Sequence, residues 1–423
     1  MEELCEPIII DNGSHKMVVG FDQGFTRQVQ IEFPTLVGSS KKQGIMIGMG
    51  KPIYKIGEKA IGNCGFLAFS YPYEKGKIIN WEDMERIWRY SFFQELRVMP
   101  EEHPVILTES AFVSPLDQQK TTEIMFETFN VPLLYLANKA AMSLYDSDQR
   151  ITGLVVEMGE DLNYVVPVYQ GSCMRDYVQA SGVGGAFLTS HLIQILINLG
   201  HNYSTKKERK IVEDIKEKHG VVSPLTKNSQ NIIFHESGLN IQNTPLNKDK
   251  NNKKKNETIV KHELPLGNII DLNEKVVFVT KPLFDPKLVK IDEQLMRFAQ
   301  RKKAFVINEK DINWKLYEKG IHEIVFDTIQ SLPLELHDIM FQNIVLAGGN
   351  SMFKGMRQRL INELELFYAE NQPQINVMAP NSRKYSSFLG CKKFSELSNF
   401  SDYCVSRFEY DEIGSKITNR KIF

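Results

Sequence analysis

The chain has 423 residues, which is enough for at least two domains with hydrophobic cores of their own. Hydrophobic residues make up 42% and charged residues 24%, as in ordinary globular proteins. The formal net charge of −1 excludes a strong basic or acidic bias, so we expect no direct nucleic-acid partner and no membrane partner.

Cysteine usage and the N-terminal segment indicate where the protein resides. The cysteines are scattered, odd in number and without Cys-x-x-Cys spacing, which predicts free thiols in a reducing compartment. The segment MEELCEPIII has too short an apolar run for a secretory signal, and no stretch approaches the ~18 apolar residues of a membrane span. We therefore expect an intracellular protein. The cysteines are Cys5, Cys64, Cys173, Cys391 and Cys404.

Two segments far apart in the chain share one plan, in which an apolar strand ends in an acid-x-Gly turn and a second strand follows. In the first, Asp11 and Gly13 follow three isoleucines and precede a strand over 18–21. In the second, Glu157 and Gly159 stand in the corresponding places. Each segment predicts a β-hairpin. Their repetition predicts two similar α/β domains that face each other.

Other segments predict helices, a third turn and a loop. Apolar residues at helical spacing predict helices over 81–98 and 120–129. A later strand ends at Gly348 and Gly349 and leads into a helix over 352–364. One stretch breaks this pattern, the charged, apolar-free segment 247–256, which predicts a disordered surface loop. A second basic stretch, 297–303, lies among apolar residues at helical spacing and predicts a solvated helix face.

The two hairpin tips have the chemistry of a phosphate and metal site. A glycine lets backbone N–H groups close on phosphate oxygens. The neighbouring acids, Asp11 and Glu157, can hold Mg²⁺ through water. Two tips on opposite domains would clamp a triphosphate, and Gly348 with Gly349 would let a purine lie flat against the backbone. Each motif alone is more often a simple turn, but the three in this order predict an ATP or ADP site with Mg²⁺.

Longer strings carry a family resemblance. They are IIIDNGS at 8–14, GIMIGMG at 44–50, INWEDMERIW at 79–88, ELRVMPEEHPVILTES at 95–110, IMFETFNVPLLYLANKAAMSLY at 124–145, IVEDIKEK at 211–218, VLAGGNSMFKGM at 345–356, RKYSSFLG at 383–390 and EYDEIGSKITNRKIF at 409–423. By these strings the chain resembles actin and the actin-related proteins over nearly its whole length. Sugar kinases and chaperone ATPases of the wider superfamily share the hairpins but not the strings.

The resemblance implies an α/β fold of the actin-like ATPase type, with two similar domains and four subdomains around a nucleotide cleft. It places subdomain 1 at 1–34, 72–147 and 378–423, subdomain 2 at 35–71, subdomain 3 at 148–185 and 319–377, and subdomain 4 at 186–318, with the disordered insert near 245–258. It also implies that ATP or ADP with Mg²⁺ binds in the cleft. The implied nucleotide contacts are Asp11, Gly13, Ser14, Lys139, Glu157, Gly159, Gly185, Lys216, Glu217, Gly348, Gly349, Phe353 and Lys384, with Asp11 and Glu157 as the metal positions.

Of the positions that depart from the family pattern, three bear most directly on phosphate contact and hydrolysis. Val18 replaces a lysine that contacts the phosphates, Tyr164 replaces a histidine near the attacking water, and Lys139 replaces a glutamine that positions this water. A protonated lysine has no acceptor with which to orient water, so we assign no catalytic residue and expect weak or absent hydrolysis. Lys139 could instead hold the γ-phosphate, and the alternative is that it pairs with Glu157 or Glu160 in an empty cleft.

The leading hypothesis is therefore a divergent actin-related protein. It would be a nucleotide-binding structural or interaction subunit of a cytoskeletal or nuclear, chromatin-remodelling-type assembly. Its expected partners are proteins, with actin and other actin-related subunits among them, and its expected location is the cytoplasm, the cytoskeleton or the nucleus. The alternative is a conventional ATP-hydrolysing, filament-forming actin-like protein. A small-molecule kinase is disfavoured, because the sequence contains no recognisable sugar-binding motif.

Overall fold

The structure is a computed structural model. It describes residues 5–21, 30–40, 54–63, 65–201, 203, 205–223, 260–263, 269–272, 274–289, 313–368 and 373–418. The predicted disordered loop at 247–256 and the predicted basic helix face at 297–303 lie outside the described residues. The subdomain limits stay predictions.

Strands and helices alternate through the described part of the chain. The strands are β1 (Ile8–Asp11), β2 (Lys16–Phe21), β3 (Gln30–Pro34), β4 (Val37–Ser40), β5 (Tyr54–Ile56), β6 (Leu67–Ser70), β7 (Tyr73–Glu74), β8 (Lys77–Ile78), β9 (Val105–Glu109), β10 (Leu133–Asn138), β11 (Gly153–Met158), β12 (Asn163–Tyr169), β13 (Ser172–Cys173), β14 (Gln179–Ser181), β15 (Val260–Glu263), β16 (Ile269–Leu272), β17 (Ile344–Ala347), β18 (Val377–Met378) and β19 (Val405–Ser406). The α-helices are α1 (Glu58–Gly62), α2 (Trp81–Tyr90), α3 (Pro115–Glu123), α4 (Lys139–Asp146), α5 (Gly185–Asn198), α6 (Lys206–His219), α7 (Glu274–Val277), α8 (Ile321–Ser331), α9 (Leu334–Gln342), α10 (Met356–Glu365), α11 (Ser386–Ser395), α12 (Phe400–Tyr403) and α13 (Arg407–Ile413). None of these helices is both long enough and apolar enough to cross a membrane.

The first sheet has the strand order β19-β10-β9-β1-β2-β3. Its strand β1 runs parallel to β9 and antiparallel to β2, so the first predicted hairpin is present. Ile8, Ile9 and Ile10 are completely buried, as expected for a run of branched apolar residues in a strand that is covered on both faces.

The second sheet repeats this plan. Its order is β13-β12-β11-β17-β18, with β14 paired to β12. Strand β11 is antiparallel to β12 and parallel to β17, as β1 is to β2 and β9. The repetition confirms the predicted α/β fold with two similar halves. Smaller sheets are formed by β5-β4-β6, by β7-β8 and by β15-β16.

Two helices fill the space between the sheets. Helices α4 and α11 pack against each other, and buried side chains from both sheets meet around them in one apolar cluster. Gly390 in α11 lies so close to α4 that a Cβ atom there would be 1.9 Å from the carbonyl oxygen of Met142. The cluster includes Ile9, Ile106, Ala141, Val155, Val345, Phe388 and Cys391.

Three predicted helices exist, but their ends differ from the sequence-based prediction. The first continues beyond α2 as a π-helical turn and ends before Arg97, whose left-handed backbone (φ 59°) cannot continue a helix. The second, α3, begins at Pro115, five residues earlier than predicted, because proline suits the first helical position and Ser114 caps the helix. The third, α10, begins only at Met356, after a 3₁₀ turn.

Candidate functional site

The carboxyl ends of parallel strands from both sheets meet at one cleft. Strands β1, β9 and β10 end at Asp11, Glu109 and Asn138, and strands β11 and β17 end at Met158 and Ala347. Residues at or directly after these ends line a cavity of about 410 Å³, a volume typical of small-molecule sites. Ligands of α/β proteins bind at such strand ends, so this cavity is the candidate site.

The structure brings the predicted nucleotide contacts together. All of them line the cavity except Gly185. Gly185 lies behind Glu160 and Lys216, and its carbonyl oxygen accepts a hydrogen bond of 3.1 Å from the Lys216 ammonium. The contacts on the cavity wall are Asp11, Gly13, Ser14, Lys139, Glu157, Gly159, Lys216, Glu217, Gly348, Gly349, Phe353 and Lys384. Ligand binding by these residues remains a prediction.

Three protein donors engage the carboxylate of Asp11. Its Oδ1 accepts a hydrogen bond of 2.6 Å from the Thr108 hydroxyl and lies 2.9 Å from the Lys139 ammonium. Its Oδ2 accepts a hydrogen bond of 2.6 Å from the hydroxyl of Ser387. Both ionic side chains are nearly inaccessible to water, at 11% for Lys139 and 10% for Asp11. Lys139 therefore pairs with Asp11, and not with Glu157 or Glu160 as the empty-cleft alternative supposed.

The local electrostatics keep this pair charged. Burial alone would raise the pKa of Asp11, but the Lys139 ammonium and the hydroxyls of Ser387 and Thr108 lower it below its usual value. Burial alone would lower the pKa of Lys139, but the carboxylates of Asp11 and Glu157 raise it. Burial raises the pKa of Glu157, and Lys139 offsets this only in part. One ammonium thus stabilises two carboxylates.

A divalent cation does not fit this donor set as it stands. Mg²⁺ needs oxygen ligands or ligand-bound waters in near-octahedral geometry. Both oxygens of Asp11 already accept hydrogen bonds, and one of them also faces an ammonium. A metal ion beside Lys139 would meet a buried positive charge of the same sign.

The glycines of the cleft serve different purposes. A Cβ atom at Gly13 would lie 2.1 Å from the carbonyl oxygen of Lys16, so the tight hairpin itself requires this glycine. Gly348 requires glycine because its φ is +84°. Gly349, by contrast, has ordinary φ, and among the described residues no heavy atom lies within 4 Å of an added Cβ atom. Its missing side chain leaves open space on the cavity wall.

A model of the actin family matches residues 2–423 of the chain. The chain belongs to the actin family. The resemblance read from the sequence is thereby confirmed. Proteins of this family generally bind ATP or ADP with a divalent metal, interact with other proteins and are typically intracellular.

The side chain that replaces the actin-family histidine is a buried phenol. Tyr164 is 7% exposed, and its ring centroid lies 5.1 Å from that of Phe112. Burial raises the pKa of Tyr164, with further contributions from Tyr73 and Glu157. The phenol therefore stays neutral at physiological pH, whereas a histidine there would be able to exchange protons.

The sequence did not point to Glu32, which holds one wall of the cleft. Its carboxylate accepts hydrogen bonds from the Lys384 ammonium at 2.9 Å and the Tyr385 hydroxyl at 2.8 Å, and it also pairs with Lys16. Burial alone would raise the pKa of Glu32, but these donors lower it to about 2. The sequence did contain a signal for Lys16 as a residue of the cleft. Lys16 is two positions before Val18 in the same strand, and alternate residues of a strand share a face. Lys16 therefore lies beside Val18, the position at which the family has its lysine.

A connecting segment, residues 383–387, lines the cavity and joins its two sides. Arg383 donates hydrogen bonds to the carbonyl oxygen of Ser351, on the side of the second sheet. The next residue, Lys384, bonds to Glu32 of β3, and Ser387 bonds to Asp11 of β1, both on the side of the first sheet. Contacts to both halves thus fall within five consecutive residues.

One buried acid beside the cleft makes stability depend on pH. Glu109 ends β9, is 6% exposed and accepts a hydrogen bond of 2.8 Å from the Gln118 side chain. Burial raises its pKa from 4.5 to about 7. Because the folded-state pKa is raised, the contribution of Glu109 to the free energy of unfolding is fully present below pH 4.5 and is lost as pH rises through about 7. The free energy of unfolding that is lost in this way amounts to about 3 kcal/mol.

We therefore expect the Glu109→Gln variant to be more stable than wild type at pH 8 and similar to it at pH 4.5. The amide keeps the acceptor for Gln118 but cannot ionise. Urea unfolding across this pH range measures the difference, with the exposed Glu365→Gln as the matched control. A difference between the Glu109→Gln variant and wild type that does not grow with pH would contradict this account.

Proposed function

We propose that this chain is a divergent actin-related protein that binds ATP or ADP in the cleft and hydrolyses it slowly or not at all. It acts as a structural or interaction subunit of a cytoskeletal or nuclear, chromatin-remodelling-type assembly. Its partners are proteins, such as actin or other actin-related subunits, and it works in the cytoplasm, the cytoskeleton or the nucleus. The observation that carries this proposal is the Lys139–Asp11 ion pair at the place where the family positions its water.

The ion pair supports slow hydrolysis for a chemical reason. Attack on a γ-phosphate needs a water that is held in line by an acceptor. Lys139 offers three donors and no acceptor, and its ammonium is already directed at Asp11. Tyr164, the second changed position, is a neutral buried phenol and is a poor proton acceptor. Neither side chain can replace a glutamine or a histidine in this task.

Nucleotide binding is supported by the opposite wall of the cleft. Gly349 leaves room for a flat ring, and Phe353 and Lys216 lie on the same wall. Asn350 anchors this wall by donating a hydrogen bond of 2.6 Å to the carbonyl oxygen of Gly159 in the second hairpin. This hydrogen bond supports the proposal, because it joins the residues proposed to face the purine to the hairpin proposed to face the phosphates.

Restoring the two family residues should restore turnover. We expect wild-type protein to bind ATP but to release phosphate much more slowly than conventional actin. The Lys139→Gln and Tyr164→His double variant should release phosphate about 10²-fold faster than wild type, the lower end of what a positioned acid or base contributes. Steady-state phosphate release at saturating ATP measures both.

The matched control makes the same chemical changes away from the cleft. Lys120→Gln removes a surface lysine on α3, and Tyr169→His changes an exposed tyrosine at the end of β12. This pair should leave phosphate release unchanged. Wild-type turnover equal to that of conventional actin would support the alternative of a conventional ATP-hydrolysing, filament-forming protein.

A further inference from the structure

The cleft contains a cation of its own at the metal position predicted from the sequence. Lys139 is the first residue of α4, and its backbone is fixed by Asn138, whose side chain accepts hydrogen bonds from the N–H groups of Ala140 (3.0 Å) and Ala141 (3.2 Å). From this position the ammonium reaches Asp11, 2.9 Å away. The lysine is therefore held beside the tip of the first hairpin and is not free to swing into solvent.

The placement of this lysine would be unfavourable without its acidic partner. The N-terminus of a helix carries a partial positive charge, which disfavours a cation in the first turn. Burial adds a desolvation cost, because the side chain of Lys139 is only 11% exposed. Asp11 offsets both effects. The ammonium is thus part of the built cleft rather than an accidental surface contact.

The charges of the residues that line the cavity nearly balance without a metal ion. The residues that line it include five basic side chains, Lys16, Lys139, Lys216, Arg383 and Lys384. They also include six acidic side chains, Asp11, Glu32, Glu157, Glu160, Asp161 and Glu217. The cleft wall therefore carries a net charge of about −1 without any metal ion, so its carboxylates are largely neutralised by the protein itself.

We infer that this protein binds its nucleotide without a divalent cation, because the Lys139 ammonium occupies the cation position between the two hairpins. This inference rests on the proposed function. It replaces the Mg²⁺ that the sequence predicts at Asp11 and Glu157. Lys139 stabilises Asp11 by contact and Glu157 through its charge, and it presents its remaining N–H donors to the phosphates. A compact ammonium with several donors serves as a point charge for phosphate.

Titration with ATP in EDTA and in Mg²⁺ tests the inference. Full-length protein is first freed of nucleotide, and the Kd is measured by calorimetry. Wild-type affinity should be the same within about threefold in the two buffers. Lys139→Gln should bind ATP at least about tenfold more weakly in EDTA than in Mg²⁺, since it lacks the charged donor. Lys139→Arg, which keeps the charge, should bind equally in both buffers.

The remaining outcomes separate the inference from the proposed function. Wild-type binding that appears only with Mg²⁺ overturns the inference and leaves the proposed function standing. Equal binding of Lys139→Gln in both buffers also overturns the inference, because another group then supplies the charge. If wild-type protein binds ATP neither in EDTA nor in Mg²⁺, the proposed function itself is overturned. Lys120→Gln, an exposed lysine on α3, is the matched control and should behave as wild type.

Discussion

Replacing Gly390 by alanine is expected to destabilise the protein by about 4 kcal/mol, the upper end for one substitution. The new Cβ atom would lie 1.9 Å from the carbonyl oxygen of Met142 and 2.6 Å from its carbonyl carbon. Both are backbone atoms of α4, so no side-chain rotation relieves the overlap. The two helices must move apart, and this cost exceeds the helix propensity of about 1 kcal/mol that alanine gains over glycine.

The same change should disturb the cleft, because these helices carry two donors to Asp11. Ser387 is in the first turn of α11, and Lys139 begins α4. Urea unfolding and ATP titration measure the two effects. Gly62→Ala is the matched control, since an added Cβ atom at the end of α1 meets no atom of the described residues within 4 Å. A Gly390→Ala variant as stable as the Gly62→Ala variant would mean that the helices pack less closely than described.

The hairpins at the cleft could be predicted because their signals are local. An acid, a spacer and a glycine after an apolar strand specify a tight turn through neighbouring residues alone. Gly13 illustrates this, since the atom it must avoid belongs to Lys16, only three residues away. The repeated plan also predicted two similar halves, and the strand pairings around β1 and β11 confirm it.

The partners within the cleft could not be predicted in the same way. Lys384 and Glu32 are 352 positions apart in the sequence, and Ser387 and Asp11 are 376 positions apart. Such pairs depend on how the two sheets and the connecting segment assemble, and no local pattern encodes this. The sequence identified Lys139 as a departure from the family. The partners it suggested for Lys139 were Glu157 and Glu160, and it missed Asp11, because charge alone does not show which carboxylate lies within reach.

Helix ends were mispredicted for a related reason. Apolar periodicity reports which face of a segment is buried, but it does not report where the backbone stops being helical. Arg97 ends its helix by adopting a left-handed backbone conformation. Arginine rarely adopts this conformation, so its presence in the sequence does not predict a helix end. Ser114 and Pro115 did mark the beginning of α3, as a capping residue followed by proline. A prediction from apolar spacing alone does not use this signal.

Removing the charge of Asp11 is expected to destabilise the protein more than removing that of Lys139. Asp11→Asn leaves a buried ammonium without its counter-ion, and breaking a buried pair from one side costs about 3–5 kcal/mol. Lys139→Gln leaves Asp11 with the hydroxyl donors of Thr108 and Ser387. Its cost should therefore be about 1–3 kcal/mol, the range for one charged hydrogen bond.

The double variant tests whether the two side chains act as a pair. With Asp11→Asn and Lys139→Gln together, neither member of the pair leaves a buried charge without its partner, and Glu157 has the same surroundings with respect to Lys139 as in Lys139→Gln alone. The double variant should therefore be no less stable than Lys139→Gln alone, which gives a coupling energy of at least about 3 kcal/mol in a double-mutant cycle. Urea unfolding of all four proteins measures it. The exposed pair of Lys120 and Glu123 on α3 is the matched control, with an expected coupling below about 1 kcal/mol. If the two cycles give equal coupling energies, Asp11 does not hold Lys139 in solution, and the cleft is then free to accept a metal ion.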